Sequence, residues 1–536
     1  MTQTTHTLSP TTLSNWLHDG HEIALIDVGE AGQFGAGHLL LAINLPLSRF
    51  ELDLVRRVPR MTTRLVLVSV DGAQAQVAAN AARALGYTDV HALQGGTLAW
   101  QAAGYKTFQG VNVPSKAFSE FVEHVYHTGD IEPVELARRQ AAGDDLVLLD
   151  SRTLEEHRRF HVPGAISCPG SEIVTRFSDL VPSPETLVVV TCAGRTRGII
   201  GAQSLIDAGV PNPVVALSGG TQGWRLAGFD LQRQPGQESS SASATAQALA
   251  RTRAAGLEQR EALPRIAADT LRQWLGTSNR TTFIFDIRTR AEFDAGHLPG
   301  ATWVQGVQLI QCLDEWVAVR NAHVVLIDTD GSRAIIVANW LQRLGVQVAL
   351  YAPQAEDSLD AGVATPPHSR PWEDIPPLDA AAARALVATG AIVLDTGSSE
   401  RHDRMHPQGS LWVNRSAIDD LLLTRIITAG KAIVLGDDDG VACLLAYDLE
   451  QRLAPQHQHV EICVLPGGLD AWQAADLPLV SESAPLADAL RIDYLFWLHD
   501  RHAGNLQASA AYLQWEADLP ALVGDADEAG YRLRAA

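Results

Sequence analysis

An apolar run that ends in Asp, followed about ten residues later by a turn rich in His and Gly, occurs four times in this 536-residue chain. The copies read ALIDVGEAGQFGAGHLLLAINLP from Ala24, VLLDSRTLEEHRRFHVPGAISCP from Val147, FIFDIRTRAEFDAGHLPGATWV from Phe283 and IVLDTGSSERHDRMHPQGSLWV from Ile392. Their anchoring aspartates, Asp27, Asp150, Asp286 and Asp395, stand 123, 136 and 109 residues apart. About forty residues after each comes a second apolar run: RLVLVS, TLVVVTC, HVVLID and AIVLGD. A short polar loop and a helix-like segment follow it. Three copies then close with Gly-Gly-x-x-x-Trp, at Gly95-Gly96…Trp100, Gly219-Gly220…Trp224 and Gly467-Gly468…Trp472; the third reads LYAPQAED instead. Such a period means four copies of one unit, since a single core stops growing beyond about 250–300 residues. Short apolar runs alternating with helical stretches predict α/β units on mostly parallel sheets. Ligands of such sheets sit at the carboxyl ends of the strands, which directs attention to the loop after the second run.

Composition marks the joints. GQESSSASATAQ, residues 236–247, is a Ser/Ala-rich break expected to be flexible at its start, and ALARTRAAGLEQREAL after it has the helix formers of an ordered connector. TPPHSRPWEDIPP, residues 365–377, is a Pro-rich spacer. VNVPSKAFSEFVEHVYHTGDIEP, between the first two copies, has no low-complexity character and is expected to pack on the domains. These breaks divide the chain into two tandem pairs. Beyond residue 482, apolar residues at helical spacing predict a helical appendix.

Only one of the four loops carries a nucleophile. It reads Thr191-Cys192-Ala193-Gly194-Arg195-Thr196-Arg197-Gly198. Gly194 and Gly198 let the backbone curl so that amide N–H groups converge, and the following helix N-terminus adds its positive end. Such a nest favours an anion and a thiolate at Cys192. Arg195 and Arg197 add charge, and a guanidinium can hold an oxyanion through two donors. Val70, Asp328 and Asp437 stand at the position of Cys192 in the other copies, and Ala75, Arg333 and Ala442 at that of Arg197. On this reading Asp437-Asp438-Asp439 is a solvated acidic loop that repels anions.

Together, Asp-x-Arg-x-x-x-Glu, Gly-His-x-Pro-Gly-Ala, the Cys loop and Gly-Gly-x-x-x-Trp resemble the rhodanese (sulfurtransferase) superfamily over about 480 residues. The second copy carries Asp150, Arg152, Glu156, His161, Pro163, Gly164, Ala165, Cys192 and Trp224; the third carries Asp286, Arg288, Glu292, His297, Pro299 and Ala301. The resemblance implies an α/β protein of four tandem rhodanese-like domains, each a mostly parallel sheet flanked by helices, plus a C-terminal helical extension. The expected domains are 1–110 (inactive), 111–235 (catalytic), 263–355 and 376–481 (both inactive), with a linker at 236–262 and the extension at 482–536. It also implies that Cys192 takes sulfur from a small anionic donor such as thiosulfate and passes it, as a persulfide, to a thiophilic acceptor such as cyanide or a thiol. The loop from Cys192 through Arg197 has the six-residue length of sulfurtransferases, one shorter than that of their phosphatase relatives. Ala193 departs from the Arg or Gly that follows the cysteine in common members. Glu156 stands where two-domain thiosulfate enzymes place a substrate-binding Arg; Arg158, Arg159 and Arg176 are the alternatives to it.

Cys192 is therefore the expected catalytic residue. Ala193, Gly194, Arg195, Thr196, Arg197, Gly198 and Arg152 are the candidate donor-binding residues, although Arg152 more often pairs with a carboxylate in this family. Cys168 is expected to be a buried strand residue, with a resolving thiol as the rival role; Cys312, Cys443 and Cys463 are expected to pack. His157…His161 and His402…His406 have metal-like spacing but no completing ligand, so neither a metal nor another cofactor is expected. Trp100, Trp224 and Trp472 are expected core anchors. With a net charge of −21, the chain is a poor partner for nucleic acid or anionic membrane. Residues 351–536 hold 28 acidic and 12 basic residues, which places most of that charge apart from the Arg-bearing loop. Five cysteines, no signal-peptide pattern and no apolar span lead to the expectation of a cytoplasmic protein. The rival reading is a persulfide carrier or scaffold that passes sulfur to a protein acceptor. Oligomeric state has no sequence signal.

Overall fold

A computed structural model of the chain describes residues 6–233, 237–238, 241–277, 279–329, 331–354, 357, 371–454, 459–481, 485–496, 501 and 504–534. Each copy of the repeat builds one parallel sheet. In the first the strand order is His6–Leu8, Val90–Leu93, Leu65–Val68, Ala24–Asp27, Ile43–Asn44. The second runs Gln237–Glu238, Ile166–Ser167, Leu146–Asp150, Leu187–Thr191, Val214–Leu217, Asp130–Ile131. The third and fourth sheets have four strands each, centred on Thr282–Asp286 beside His323–Ile327 and on Ile392–Asp395 beside Lys431–Leu435. The central pair is in register from end to end in every copy, as in Leu146↔Leu187 through Asp150↔Thr191. These strands are nearly continuous Val, Ile and Leu because helices cover both faces.

The Asp that ends each first strand is followed by a short helix. In the second and third copies a capping box starts it. Thr153 accepts the Glu156 N–H at 3.3 Å while Glu156 accepts the Thr153 N–H at 3.2 Å, and Thr289 with Glu292 repeats this. The Glu of the Asp-x-Arg-x-x-x-Glu motif thus terminates a strand-to-helix turn. The closing tryptophans are buried and donate their indole N–H to backbone carbonyls: Trp100 to Lys106, Trp224 to Asp230 and Trp472 to Pro478.

The copies do not group as tandem pairs. One compact unit comprises Met1–Val111 with Pro366–Phe496, the other Asn112–Thr365 with Trp497–Ala536. The first copy therefore packs with the fourth, and the second with the third. In the first unit Arg415 reaches both Glu51 (2.5 Å) and Asp448 (2.8 Å). In the second unit Trp340 Nε1 donates to Ser204 Oγ at 2.8 Å, and Arg343 pairs with Asp207 at 2.7 Å. Composition breaks show where a chain can bend, but complementary buried surfaces select the partner.

The linker contains the helix Ala244–Glu261, capped by Ser243, which packs on the helices Ile173–Leu180 and Arg333–Arg343. Residues 236 and 239–240 of the Ser-rich break and 365–370 of the Pro-rich spacer lie outside the described residues. The helix Val113–Tyr126 joins the first two copies and packs on the helix Thr196–Asp207, as its composition predicts. Among the described tail residues, 485–496 belong to the first unit, and the helix Leu506–Val523 belongs to the second. Residues 497–500 and 502–503 of that predicted run are outside the described set. Among the described residues no helix is long and apolar enough to cross a membrane.

Candidate active site

Cys192 sits at the carboxyl end of the strand Leu187–Thr191, and the loop after it opens the helix Thr196–Asp207. The N–H groups of Gly194 and Gly198 are directed at its sulfur, which forms the amide nest expected from the glycines. The Gly-Gly-x-x-x-Trp motif locks this loop from behind. The Thr221 N–H donates to the Cys192 carbonyl at 2.9 Å, and the Gln222 N–H to the Ala193 carbonyl at 3.2 Å. Gly220 has φ +55°, and a Cβ there would collide with the Cys192 carbonyl, so only glycine fits.

The arginines are already engaged. Arg197 gives its two terminal nitrogens to Glu156, at 2.6 and 2.7 Å. Arg195 forks onto Glu120 with two 2.8 Å bonds and also reaches Glu123. Both glutamates lie on the helix Val113–Tyr126, which the motifs did not flag. Arg152 is paired with a carboxylate. It is 1% exposed, bonds Asp150 at 2.9 and 2.7 Å and donates to the Phe160 carbonyl. A buried carboxylate stays ionised only when it is matched, and Arg152 performs that task for Asp150. Thr196 is buried, its hydroxyl included.

Burial works against the expected thiolate in this geometry. Burial pushes the Cys192 thiol above its ordinary value, outweighing Arg197 and the amides of Gly198 and Gly194, and Glu516 pushes the same way. Glu516 comes from the acidic last third of the chain, so that acidity is not kept away from the loop. The other thiols are buried or half-buried. Cys168 is fully buried and pushed up to about 12. Cys312 is half-buried, and burial pushes its thiol well above the ordinary value. His157 and His161 stack at 4.0 Å, with His157 Nδ1 2.9 Å from Asp150 Oδ2 and His161 Nδ1 2.9 Å from the His157 carbonyl. Among the described residues no group of three His, Cys, Asp or Glu could hold a metal.

The description "Rhodanese-like domain" matches residues 9–103, 132–227, 267–353 and 379–475. The chain belongs to this family. The crystal structure of thiosulfate sulfurtransferase from Pseudomonas aeruginosa is similar over 98% of this chain and 99% of that one, with a TM-score of 0.91 and 36% identity. An uncharacterized protein of Synechocystis is 34% identical over 113 residues. An HTH-type transcriptional regulator of Mycobacterium tuberculosis is 34% identical over 101 residues. The chain spans 62% and 43% of the lengths of these two curated relatives.

Strand register corrects the matching of the rhodanese-like copies by one residue. Asp27 pairs with Val68, Asp150 with Thr191, and Asp395 with Leu435. Cys192 therefore corresponds to Ser69, Asp328 and Gly436, not to Val70 and Asp437; Arg197 corresponds to Gln74, Arg333 and Val441. The Thr97 N–H donating to the Ser69 carbonyl repeats the Thr221–Cys192 bond. The cluster 437–439 is not simply solvated: Asp437 bonds Arg401 at 2.9 Å, Asp438 caps Gly440 at 2.8 Å and Asp439 accepts the Gly467 N–H at 2.9 Å.

Proposed function

We propose that this chain is a sulfurtransferase of the thiosulfate type with Cys192 as its nucleophile. The observation that carries the reading is a thiol in an amide nest at the carboxyl end of a buried strand, where the other copies have Ser69, Asp328 and Gly436. The name printed for the Pseudomonas relative supports the same chemistry. The Cys192 thiolate attacks the outer sulfur of the donor, the donor's S–S bond breaks, and sulfite leaves with the electron pair. Cys192 is left as a persulfide anion. Attack by cyanide or a thiolate on its outer sulfur then returns the Cys192 thiolate. Arg197 and the Gly194 and Gly198 amides stabilise the anionic sulfur in both states. Arg195, Ala193 and Thr196 shape the loop rather than grip the donor. No metal or cofactor is required for these steps.

Purified protein given thiosulfate and cyanide should release sulfite, and Cys192→Ser should lower that rate at least about a thousandfold. Wild-type turnover in the serine variant would overturn the reading. Intact mass after thiosulfate exposure should show one added sulfur, about 32 Da, on Cys192. The second reading is a carrier loaded by a protein donor. In that case thiosulfate alone would add no sulfur.

A further inference from the structure

Glu516 is the unsettled charge near Cys192. It lies on the C-terminal helix Leu506–Val523 and is 2% exposed. Its Oε1 accepts the Tyr512 hydroxyl at 2.6 Å, while its Oε2 has no hydrogen-bond partner among the described residues. That oxygen lies over the Cys loop: a Cβ built on Gly194 would stand 2.7 Å from it and 3.3 Å from Tyr512 Cε1. Leu513 of the same helix comes within 2.9 Å of where a Gly219 Cβ would be, so the helix rests on both loops of the site. A buried carboxylate oxygen without a donor is costly and calls for an explanation.

Cations stand around it, and both Lys116 and Arg195 feel its charge. Lys116, from the helix Val113–Tyr126, stands 5.4 and 5.2 Å from the Tyr512 and Trp515 rings, and Arg501 stands 3.7 Å from the Tyr512 ring. Arg195 is committed to Glu120 and Glu123, and Glu120 has the same sign as Glu516. Cys192 feels the Glu516 charge directly.

We infer that Glu516, held by Tyr512, is a specificity-determining residue: its free oxygen places negative charge over the amide-lined loop and weights Cys192 toward sulfur donors less charged than thiosulfate. The fitting class is a low-molecular-weight persulfide. The Cys192 thiolate would attack its outer sulfur, the donor's S–S bond would break, and the departing thiolate would take the proton of the transferred sulfur as a thiol. This rests on the persulfide chemistry proposed above, but its test does not.

The test alkylates Cys192 with two reagents of similar size, anionic iodoacetate and neutral iodoacetamide, and reads the Cys192 peptide by mass spectrometry. Glu516→Gln should raise the iodoacetate rate about tenfold and the iodoacetamide rate less than about threefold, because only the anion gains from the lost charge. Equal change for both reagents, or none for either, overturns the inference and makes the helix a steric cover. Tyr512→Phe keeps the carboxylate but releases its hold, and should raise the iodoacetate-to-iodoacetamide ratio at least about twofold; an unchanged or lowered ratio overturns the inference through a second variant. With thiosulfate turnover, Glu516→Gln should lower KM with kcat little changed, and an unchanged KM counts against the inference. A shifted reagent ratio in proteins that release no sulfite from thiosulfate upholds the charge filter and overturns thiosulfate as a donor.

Discussion

The second and third copies share a cradle and differ in what fills it. In the second, the amide of Gly198 faces the Cys192 sulfur and Arg197 is braced by Glu156. In the third, the Ala334 N–H donates to Asp328 at 3.1 Å, Arg333 bonds the same carboxylate at 2.9 Å, and Glu292 braces Arg333 at 3.1 and 3.2 Å. The third copy therefore carries its own anion in the position where a reacting anion would have to bind. A fixed carboxylate satisfies the amides and the guanidinium permanently. A thiol satisfies them only when ionised or persulfidated. The comparison separates two properties that share a loop: the cradle is a feature of the fold, and the occupant decides between structure and chemistry.

The first copy has Ser69 in the cradle, and its hydroxyl accepts the Ala75 N–H at 3.2 Å. The strand-end aspartates vary in the same manner. Arg152 and His157 hold Asp150 well below the usual carboxylate range, whereas burial pushes Asp27, which has Gly29 at the Arg152 position, up to about 7. In the fourth copy Gly397 takes the Arg152 position and Arg401 reaches Asp395 from the Glu156 position, at 2.8 Å through Nη1. One cation per buried aspartate recurs in three copies, from two different places in the motif.

Three substitutions and one pH series probe this comparison. Gly220→Ala places a methyl against the Cys192 carbonyl at a positive φ; it should cost about 1–3 kcal/mol in urea unfolding and lower sulfur transfer by about a hundredfold. Wild-type sulfite release would show that the Gly-Gly brace is not needed. Asp328→Ala empties the third cradle and removes one carboxylate from Arg333. The expected loss is about 2–3 kcal/mol in the unfolding transition of this unit, with turnover at Cys192 kept within about threefold. A larger loss of turnover would mean that the two cradles are coupled.

Glu156→Gln should cost about 1–2 kcal/mol, since the pair is partly exposed. Glu156 is held at about 2 by Arg197 against the opposing effect of burial. Its lowered pKa contributes stability above the unfolded carboxyl value near 4, and that contribution is lost as pH falls toward 2. The glutamine variant should therefore show a shallower acid decline in a melting series, and an identical decline would break the pairing argument. The smallest effect concerns the thiol. Because burial raises Cys192 above its ordinary 9.0, the iodoacetamide rate at its peptide should still be climbing at pH 9. A plateau below pH 8 would show that the nest outweighs burial.

Much of this was legible in the chain. Repeats and apolar runs are local patterns, so four parallel sheets, the Cys192 loop and the buried tryptophans could be read directly. The capping role of Glu156 had a signature, Thr-x-x-Glu, that passed unused. The one-residue slip to Val70 and Asp437 arose because loops have no internal period, whereas the register Asp27↔Val68 resolves it. Glu120, Glu123, Lys116 and Tyr512 had no motif. They lie on helices whose spacing foretells an apolar face but not the surface it meets.

By itself the sequence determined the number of domains, their parallel α/β class and the one strand-end loop that carries a cysteine, because each depends on residues close together in the chain. Only the tertiary structure decided that copies pair first with fourth and second with third, that the arginines are engaged by distant glutamates, and that acidity returns to the thiol through Glu516. Those depend on which faces bury each other. Net charge counted along a chain says nothing of where a fold brings its carboxylates.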